Sequence, residues 1–381
     1  MILKKLSYSE FAGAPHSWSI EGLILDRINL LVGKNATGKT NTLEKIAWLG
    51  NMLAGIQPQL LISGNYDVEF IEDNDNYHYK LNISLQKVEY EELLINDEQI
   101  FLRKGDGKGQ ITTTQFSEKM NFQLSQNQLV VTAKRDTIQH PFLEKLVKWA
   151  EGQRMYAFSS DMGQDTVFIT NDMNNIIVDP RNMLSVIGLY IKGAQEFPQE
   201  FKESVIELMK NIGYELSDIG VVQRPNYHAL PHAGNNNGLV LYIGEKNSNI
   251  RILQQTMSQG MFRALSLIIQ VTYNSLKKLS TTILIDDIGE GLDFERSSSI
   301  IRSIIDITEK VKGQVIMSTN DRFVMNNVPL EHWQVIQRTG GDCKVYNYRN
   351  RKEVFDEFAY TGLNNFDFLA TDFINSKLEN Q

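Results

Sequence analysis

Residues Gly33 to Thr40 read Gly-Lys-Asn-Ala-Thr-Gly-Lys-Thr, which fits the spacing of a loop that binds nucleotide phosphates. Glycine at both fixed positions permits backbone angles that let successive N–H groups point inward at an anion. Lys39 is expected to reach the β- and γ-phosphates, and the Thr40 hydroxyl to ligand Mg²⁺. The pattern therefore predicts a phosphate loop with these binding residues: Gly33, Lys34, Asn35, Ala36, Thr37, Gly38, Lys39, Thr40 and Asn41.

The segments on either side of this loop are those that its chemistry requires. Residues 28–32 form a short apolar run that suits a buried strand. After the loop, apolar residues follow helical spacing, and Gly55 is a plausible end of that helix. The order strand, loop, helix places the loop at a helix N-terminus, whose positive potential favours phosphates.

A second stretch, residues 282–293, supplies the carboxylates that such a loop needs. An apolar strand ends at Asp286, which is expected to hold Mg²⁺ together with Thr40. Asp287 follows directly and would point toward the attacking water as a general base. An apolar strand followed by two aspartates is a weak signal alone, but it becomes strong beside the phosphate loop.

Together these motifs resemble an ABC-type ATPase of the SMC/RecF-like branch, related to OLD-type ATPase domains without their Toprim nuclease. Residues 286–293 match, position for position, the family pattern D-E-P-x-x-G-L-D, which spans the Walker B motif and the D-loop that follows it. Residues 257–260, Met-Ser-Gln-Gly, resemble the L-S-x-G signature and precede an apolar helix. Residues 315–321 form a strand and turn where the family's switch histidine sits, so the four motifs occur in family order.

The resemblance implies a head-to-tail homodimer with ATP between the two copies. The phosphate loop of one copy would hold the phosphates, and Ser258, Gln259 and Gly260 of the other would cap the γ-phosphate. An ordinary helix N-cap at Ser258 is compatible with this role. ATP and Mg²⁺ are the implied cofactors.

Two positions depart from the family pattern. Asp287 replaces a glutamate and is one methylene shorter, so the attacking water could lie too far away, and Glu290 is a second candidate base. Asn320 replaces the switch histidine, and it can donate to a phosphate but cannot gain charge. We therefore expect an ATPase whose turnover is slow. The alternatives are an ATP-gated scaffold or sensor with negligible hydrolysis and, disfavoured by the β-rich insertion, a transporter subunit.

The expected fold is α/β: a P-loop NTPase of the ABC-ATPase head type, with a mixed sheet, a β-rich insertion and a helical second lobe. Strands are predicted at 66–70, 77–83 and 128–131 within the insertion. Lobe one is predicted to comprise residues 1–175, with the phosphate loop and the insertion, and residues 266–350. The helical lobe, which ends in the signature, is predicted at 176–265, and a C-terminal tail at 351–381.

Several residues have two possible roles. The adenine-contacting residue is Tyr8, Phe11 or Trp18, each of which could equally belong to the core. A Q-loop glutamine could be Gln153 or Gln164. The basic turn at 103–109 is interpreted as an exposed hairpin tip, with a nucleic-acid contact as the alternative. The aromatic tail after residue 351 is interpreted as a docked helix, with a partner surface as the alternative.

Composition limits the partners and the compartment. The net charge is −8 and the pI about 5.4, which disfavours a uniformly basic nucleic-acid binder but leaves a local DNA contact open. The only cysteine is Cys343, which excludes an intramolecular disulfide. No long apolar run or signal peptide is evident, so we expect a cytoplasmic protein without a membrane contact. Family resemblance suggests a protein effector encoded nearby, in anti-phage defence or DNA maintenance.

Overall fold

A computed structural model describes residues 1–57, 59–113, 119–170, 172–224, 237–246 and 250–378. The chain divides into two compact units. Unit 1 comprises Met1–Gln153 and Gln314–Gln381, and unit 2 comprises Arg154–Gly313. The phosphate loop and the tail belong to unit 1, whereas the signature and the D-loop belong to unit 2.

The secondary structure follows the chain in three stretches. The first contains β1 (Ile2–Glu10), β2 (Trp18–Ile24), β3 (Ile28–Val32), α1 (Lys39–Leu53), β4 (Ser63–Glu72), β5 (Asp75–Ser84), β6 (Lys87–Ile95), β7 (Glu98–Lys104), β8 (Lys108–Thr112), β9 (Lys119–Gln123), α2 (Val130–Ala133) and α3 (Pro141–Glu151). The second contains β10 (Gln153–Ala157), β11 (Phe168–Thr170), α4 (Val186–Glu196), α5 (Glu200–Asn211), β12 (Leu216–Gln223), β13 (Asn237–Glu245), β14 (Arg251–Leu253), α6 (Gln259–Leu276), β15 (Thr282–Asp286) and α7 (Phe294–Lys310). The third contains β16 (Gln314–Ser318), α8 (Arg322–Asn327), β17 (Trp333–Thr339), β18 (Asp342–Asn347), α9 (Lys352–Ala359), α10 (Asp367–Ala370) and α11 (Phe373–Leu378).

Unit 1 is built on a mixed sheet. Its described strands lie in the order β16-β3-β17-β18-β2-β1-β4-β5-β6-β7-β8-β9. Strand β3 pairs in parallel with both β16 and β17, so the loops that follow these strands emerge at one edge. From β1 to β9 the neighbouring strands are antiparallel, and β4–β9 form the β-rich stretch after α1.

Helix α1 forms where the apolar spacing predicted it. Its stripe residues Leu43, Ile46 and Leu53 are fully buried. The helix ends at Leu53, and Gly55 follows with φ +70°, the left-handed conformation that glycine adopts readily after a helix. This helix therefore fixes the C-terminal side of the phosphate loop against the core.

The strand predicted at 128–131 is wrong, because Val130 begins the short helix α2. The buried carboxylate of Glu91 in β6 accepts hydrogen bonds from the N–H groups of Val130 (2.7 Å) and Val131 (3.4 Å). A carboxylate at this position satisfies the first N–H groups of a helix. The cap comes from a distant strand, which local alternation could not indicate.

The basic turn at 103–109 is only partly an exposed tip. Arg103 is fully buried in β7, where its guanidinium lies 3.8 Å from the Glu91 carboxylate and donates to the carbonyl oxygens of Ser125 and Gln128. The exposed-tip and the nucleic-acid interpretations of this turn both require an accessible Arg103. Because Arg103 is buried, its side chain is excluded from contact with a nucleic acid. Lys104 and Lys108 remain exposed.

Unit 2 contains two groups of strands. Strand β10 neighbours β15, and a separate antiparallel sheet has the order β11-β13-β12, with β14 also paired to β13. Helix α6 is buried along almost its whole length. The segment 176–265, which the sequence predicted as a helical lobe, contains α4 and α5 but also β12–β14, which the prediction missed.

The tail is packed against unit 1. Phe355, Phe358 and Phe368 are 1% exposed, and the Phe368 ring contacts those of Phe355, Phe358, Phe373 and Trp333. The Asn365 side chain donates to the Val328 carbonyl at 2.9 Å. Docking of the tail is thus confirmed for Phe355, Phe358 and Phe368, although the described part of the tail forms three short helices and not one. Among the described residues, no helix is both long and apolar enough to cross a membrane.

Candidate functional site

The phosphate loop joins β3 to α1. At some of its positions the close packing or the backbone conformation restricts which side chains can be accommodated. A β carbon on Gly33 would lie 2.6 Å from the Ile336 carbonyl oxygen and 2.7 Å from the Thr37 hydroxyl oxygen. Ala36 has φ +63° and Gly38 has φ +99°, both in the left-handed region. This alternation of conformations turns successive peptide groups to different sides, as a concave anion site requires.

Lys39 lies in the interior of the loop. Its side chain is nearly buried, and the ammonium donates to the carbonyl oxygens of Gly33 (3.0 Å) and Lys34 (3.2 Å). The Thr37 hydroxyl donates to the Lys34 carbonyl as well, at 2.9 Å. A nearly buried cation beside a glycine cradle fits a polyphosphate ligand.

Two side chains that sequence reasoning missed hold the outer side of this loop. Arg338 donates to the Ala36 carbonyl at 3.1 Å, and the Cys343 thiol donates to the Thr37 carbonyl at 3.3 Å. Cys343 is buried, and burial raises the pKa of its thiol, although Trp18 and Arg338 oppose that effect. No signal in the sequence pointed to either residue, because each lies some 300 positions from its partner.

Asn320 lies at the same sheet edge as the start of the phosphate loop. Ser318 in β16 is aligned with Leu31 in β3, and Asn320 and Gly33 each follow two residues later. The Asn320 side chain is exposed, and Asp321 caps the next helix by accepting from the Phe323 N–H at 2.6 Å. Unit 1 therefore brings together the phosphate loop and the predicted switch residue.

The predicted carboxylates follow β15 in unit 2. Asp286 is its last residue and is buried, with its carbonyl oxygen accepting from the Phe158 N–H at 2.9 Å. Asp287 is half-buried with φ +53°, an unusual conformation that aspartate tolerates better than most residues. Glu290 is exposed, and its N–H donates to the Asp287 carbonyl at 3.2 Å. In the described part of the chain, no group of three or more His, Cys, Asp or Glu residues could hold a metal ion.

The signature segment forms the start of α6. Ser258 is its N-cap, with a hydroxyl that accepts from the Met261 N–H at 3.3 Å, and both Ser258 and Gln259 are exposed. Gly260 is buried against the D-loop, where a β carbon would lie 2.4 Å from the Gly291 carbonyl oxygen.

Arg263, one turn into α6, ties the signature helix to its surroundings in unit 2. Its guanidinium donates to the carbonyl oxygens of Ser160 (2.7 Å), Ser159 (2.8 Å) and Glu290 (3.2 Å). The signature and the D-loop are therefore one packed structure. The candidate site residues fall into two groups, one around the phosphate loop in unit 1 and one around the signature and Asp286 in unit 2.

The residues predicted to contact the adenine or to form the Q-loop all make contacts within the chain itself. Tyr8 and Trp18 are buried in the core of unit 1, and Phe11 is half-buried against the His16 ring. The Gln153 amide donates to the Ile46 carbonyl of α1 at 3.1 Å. The Gln164 amide donates to the carbonyls of Gln254 and Met257, just before the signature.

No protein-family model matches this sequence, and no curated protein matches it either. Solved structures do resemble it. An SMC head bound to the C-winged helix domain of ScpA has a TM-score of 0.51 at 12% identity, covering 91% of this chain and 97% of that one. An SMC head with an extended coiled coil from Pyrococcus furiosus has a TM-score of 0.47 at 10% identity, covering 94% of this chain and 100% of that one. An SMC head from Thermotoga maritima has a TM-score of 0.44 at 14% identity, covering 91% of this chain and 99% of that one.

The first of these similarities shows the fold. The chain has a mixed α/β architecture similar to that of an SMC head. This agrees with the coarse part of the predicted fold class, an α/β head with a mixed sheet. The RecF-like or OLD-like branch is a finer assignment and stays a prediction.

Proposed function

We propose that this chain is an ABC-type ATPase that binds ATP with Mg²⁺, dimerises head to tail around the nucleotide and controls a partner effector. The observation that carries the proposal is the phosphate loop, in which the Lys39 ammonium donates to the Gly33 carbonyl and Gly33 leaves no room for a β carbon. The SMC-head fold supports the same conclusion independently.

The signature segment supports a role across the dimer. Ser258 and Gln259 are exposed at the N-terminus of an 18-residue helix, so a second copy can approach this end of the helix. A helix N-terminus of this kind favours a phosphate group. In the proposed dimer, Ser258, Gln259 and Gly260 contact the γ-phosphate held by the partner's phosphate loop.

The remaining residues have proposed catalytic roles. Asp287 takes the proton of the attacking water, with Glu290 as the second candidate, and Asn320 donates a hydrogen bond to the γ-phosphate. Thr40 and Asp286 would ligand Mg²⁺, which supplies neutralisation of phosphate charge. The short Asp287 side chain predicts slow turnover.

A rival function is an ATP-gated scaffold that binds ATP and dimerises without hydrolysis. The specific observation in its favour is Asp287, whose side chain is shorter than the family's glutamate and whose backbone is held at φ +53°. Both functions require ATP binding by the phosphate loop, so they differ only in phosphate release.

The proposed dimer is tested by mixing two variants, Lys39→Ala and Ser258→Arg. Each alone is expected to lack ATP-dependent dimerisation in sedimentation, because both of its sites are defective. A mixed dimer, however, contains one intact site, formed by the phosphate loop of the Ser258→Arg chain and the signature of the Lys39→Ala chain. Recovery of dimers on mixing would support the proposal. Hydrolysis of ATP by Ser258→Arg alone at the wild-type rate would contradict it.

The effector is proposed to be a protein encoded nearby that acts in anti-phage defence or DNA maintenance, and the ATPase to recognise DNA or a foreign component. This part depends on family resemblance. Co-purification of the wild type, but not of Lys39→Ala, with the product of a neighbouring reading frame in the presence of ATP would support it. Equal recovery with both would contradict ATP control of the partner.

A further inference from the structure

The outer side of the phosphate loop is covered by a hairpin from the other end of the chain. Strand β17 runs parallel to β3, with Val335 aligned to Val32, and continues beyond the end of β3 as the loop begins. There the Ile336 carbonyl oxygen would lie only 2.6 Å from a β carbon on Gly33, too close for a side chain. The hairpin formed by β17 and β18, residues 333–347, is therefore in direct contact with the loop.

Two residues of this hairpin form one cross-strand pair, Arg338 opposite Cys343. Side chains at paired positions of antiparallel strands lie on the same face of the sheet. Each of these two donates to a carbonyl of the phosphate loop, Arg338 to Ala36 and Cys343 to Thr37, which are consecutive residues. Burial of the Cys343 thiol raises its pKa, so the thiol keeps its proton and can donate.

These contacts determine the direction of the next two amide groups. In a trans peptide the carbonyl and the following N–H point in opposite directions. Because the Ala36 and Thr37 carbonyls face the hairpin, the N–H groups of Thr37 and Gly38 point away from it. Inward-pointing N–H groups are what a phosphate loop offers its anion.

We propose that Arg338 and Cys343 are positioning residues that hold the phosphate loop in its phosphate-binding conformation. This role rests on the proposed nucleotide binding, and it assigns two residues that raise the affinity of the phosphate loop for the nucleotide. The hairpin is suited to this role because it is itself fixed: the Ser19 N–H donates to the Gly341 carbonyl at 3.0 Å, and Arg338 also donates to the Gly340 carbonyl at 2.7 Å. Support from a rigid element keeps a binding geometry intact before the ligand arrives.

The test is calorimetric titration of ATP and of inorganic triphosphate into wild type, Arg338→Ala and Cys343→Ala. Arg338→Ala is expected to raise the Kd of both ligands by about tenfold, because a charge-assisted hydrogen bond is lost. Cys343→Ala is expected to raise both by about threefold, as a thiol is a weaker donor. Equal loss for ATP and triphosphate would locate the effect at the phosphates.

Conservative and control variants separate positioning from stability. Cys343→Ser keeps a donor and should restore most of the affinity that Cys343→Ala loses. Arg349→Ala removes an exposed arginine of unit 1 whose guanidinium pairs with Asp26, and its Kd should equal that of wild type. Arg338 is exposed, so Arg338→Ala should leave the unfolding midpoint unchanged.

The outcomes distinguish this inference from the proposed function. If wild type binds neither ligand, nucleotide binding itself is wrong. If wild type binds ATP and Lys39→Ala does not, but Arg338→Ala and Cys343→Ala bind as tightly as wild type, the positioning role is overturned while the proposed function stands.

Discussion

Gly260 and Gly291 are so close that a β carbon on Gly260 would lie 2.4 Å from the Gly291 carbonyl oxygen. The signature helix and the D-loop therefore meet backbone to backbone in unit 2. Backbone cannot move aside as the end of a flexible side chain can, so the contact has no tolerance for added volume. A displacement of the signature must consequently displace the D-loop, which follows Asp287 directly.

Gly260→Ala should therefore impair hydrolysis without impairing nucleotide binding. The added methyl group must push the D-loop away from α6, at a cost of about 1–3 kcal/mol in unfolding free energy. The phosphate loop lies in the other unit, so we expect the Kd for ATP of the single, undimerised chain to stay at the wild-type value while phosphate release falls. Titration calorimetry and a phosphate-release assay measure the two quantities.

Gly105→Ala is the matched control for this substitution. A β carbon there would meet chiefly the carboxylate of Glu89, the movable end of a long side chain. Its stability and activity should stay within error of wild type. Loss of ATP binding in Gly260→Ala, or equal effects of both variants, would contradict the proposed contact.

Asp287→Asn separates the ATPase from the scaffold. If Asp287 accepts the proton of the attacking water, the amide should lower the rate of phosphate release by about 100-fold or more. The residue stays similar in size, and asparagine also tolerates the left-handed backbone at this position. ATP-dependent dimerisation should persist. Equal background rates in wild type and variant would instead favour a scaffold without hydrolysis.

The phosphate loop and its flanking elements could be predicted because their signals are local. Strand β3, the turn and α1 follow one another between Ile28 and Leu53, and each is specified by its own residues. Lys39 could be assigned a role from spacing alone. The same local reasoning identified Ser258 as the start of a helix, where its hydroxyl caps α6.

Features that depend on distant parts of the chain could not be predicted this way. Val130 was assigned to a strand because its neighbours alternate, but Glu91, 39 positions earlier, caps a helix there. Arg103 was placed on an exposed turn, although the same carboxylate lies beside it in the interior. Arg338 and Cys343 carry no local motif, and only the pairing of β17 with β3 brings them to the phosphate loop.

Glu91 should make stability depend on pH. Burial raises the pKa of this carboxyl from 4.5 to about 7, despite opposing hydrogen bonds from the Val130 N–H and Tyr79 and the charge of Arg103. The folded protein therefore binds this proton more tightly than the unfolded chain does. The resulting stability is fully present below about pH 4.5 and is lost as the pH rises toward about 7.

Denaturant unfolding of wild type and Glu91→Gln at pH 5 and pH 7 measures this contribution. The glutamine does not titrate, so the stability of wild type relative to the variant should fall by about 2 kcal/mol over that interval. Comparing the two proteins removes the effect of the other titrating groups. A difference that stays constant with pH would show that Glu91 has the same proton affinity in the folded and unfolded chain.

Alanine substitutions at two positions of the aromatic tail should have very different effects on the free energy of unfolding. Phe368 is 1% exposed, and its ring contacts four other aromatic rings, so Phe368→Ala should lower the free energy of unfolding by about 3–5 kcal/mol. Tyr360 in the same tail is 92% exposed, and Tyr360→Ala should change it by less than about 0.5 kcal/mol. Chemical denaturation of both variants measures the contrast. If both substitutions change the free energy of unfolding by the same small amount, the tail is not docked in solution. That result would favour the alternative interpretation, in which the tail is a surface for a partner protein.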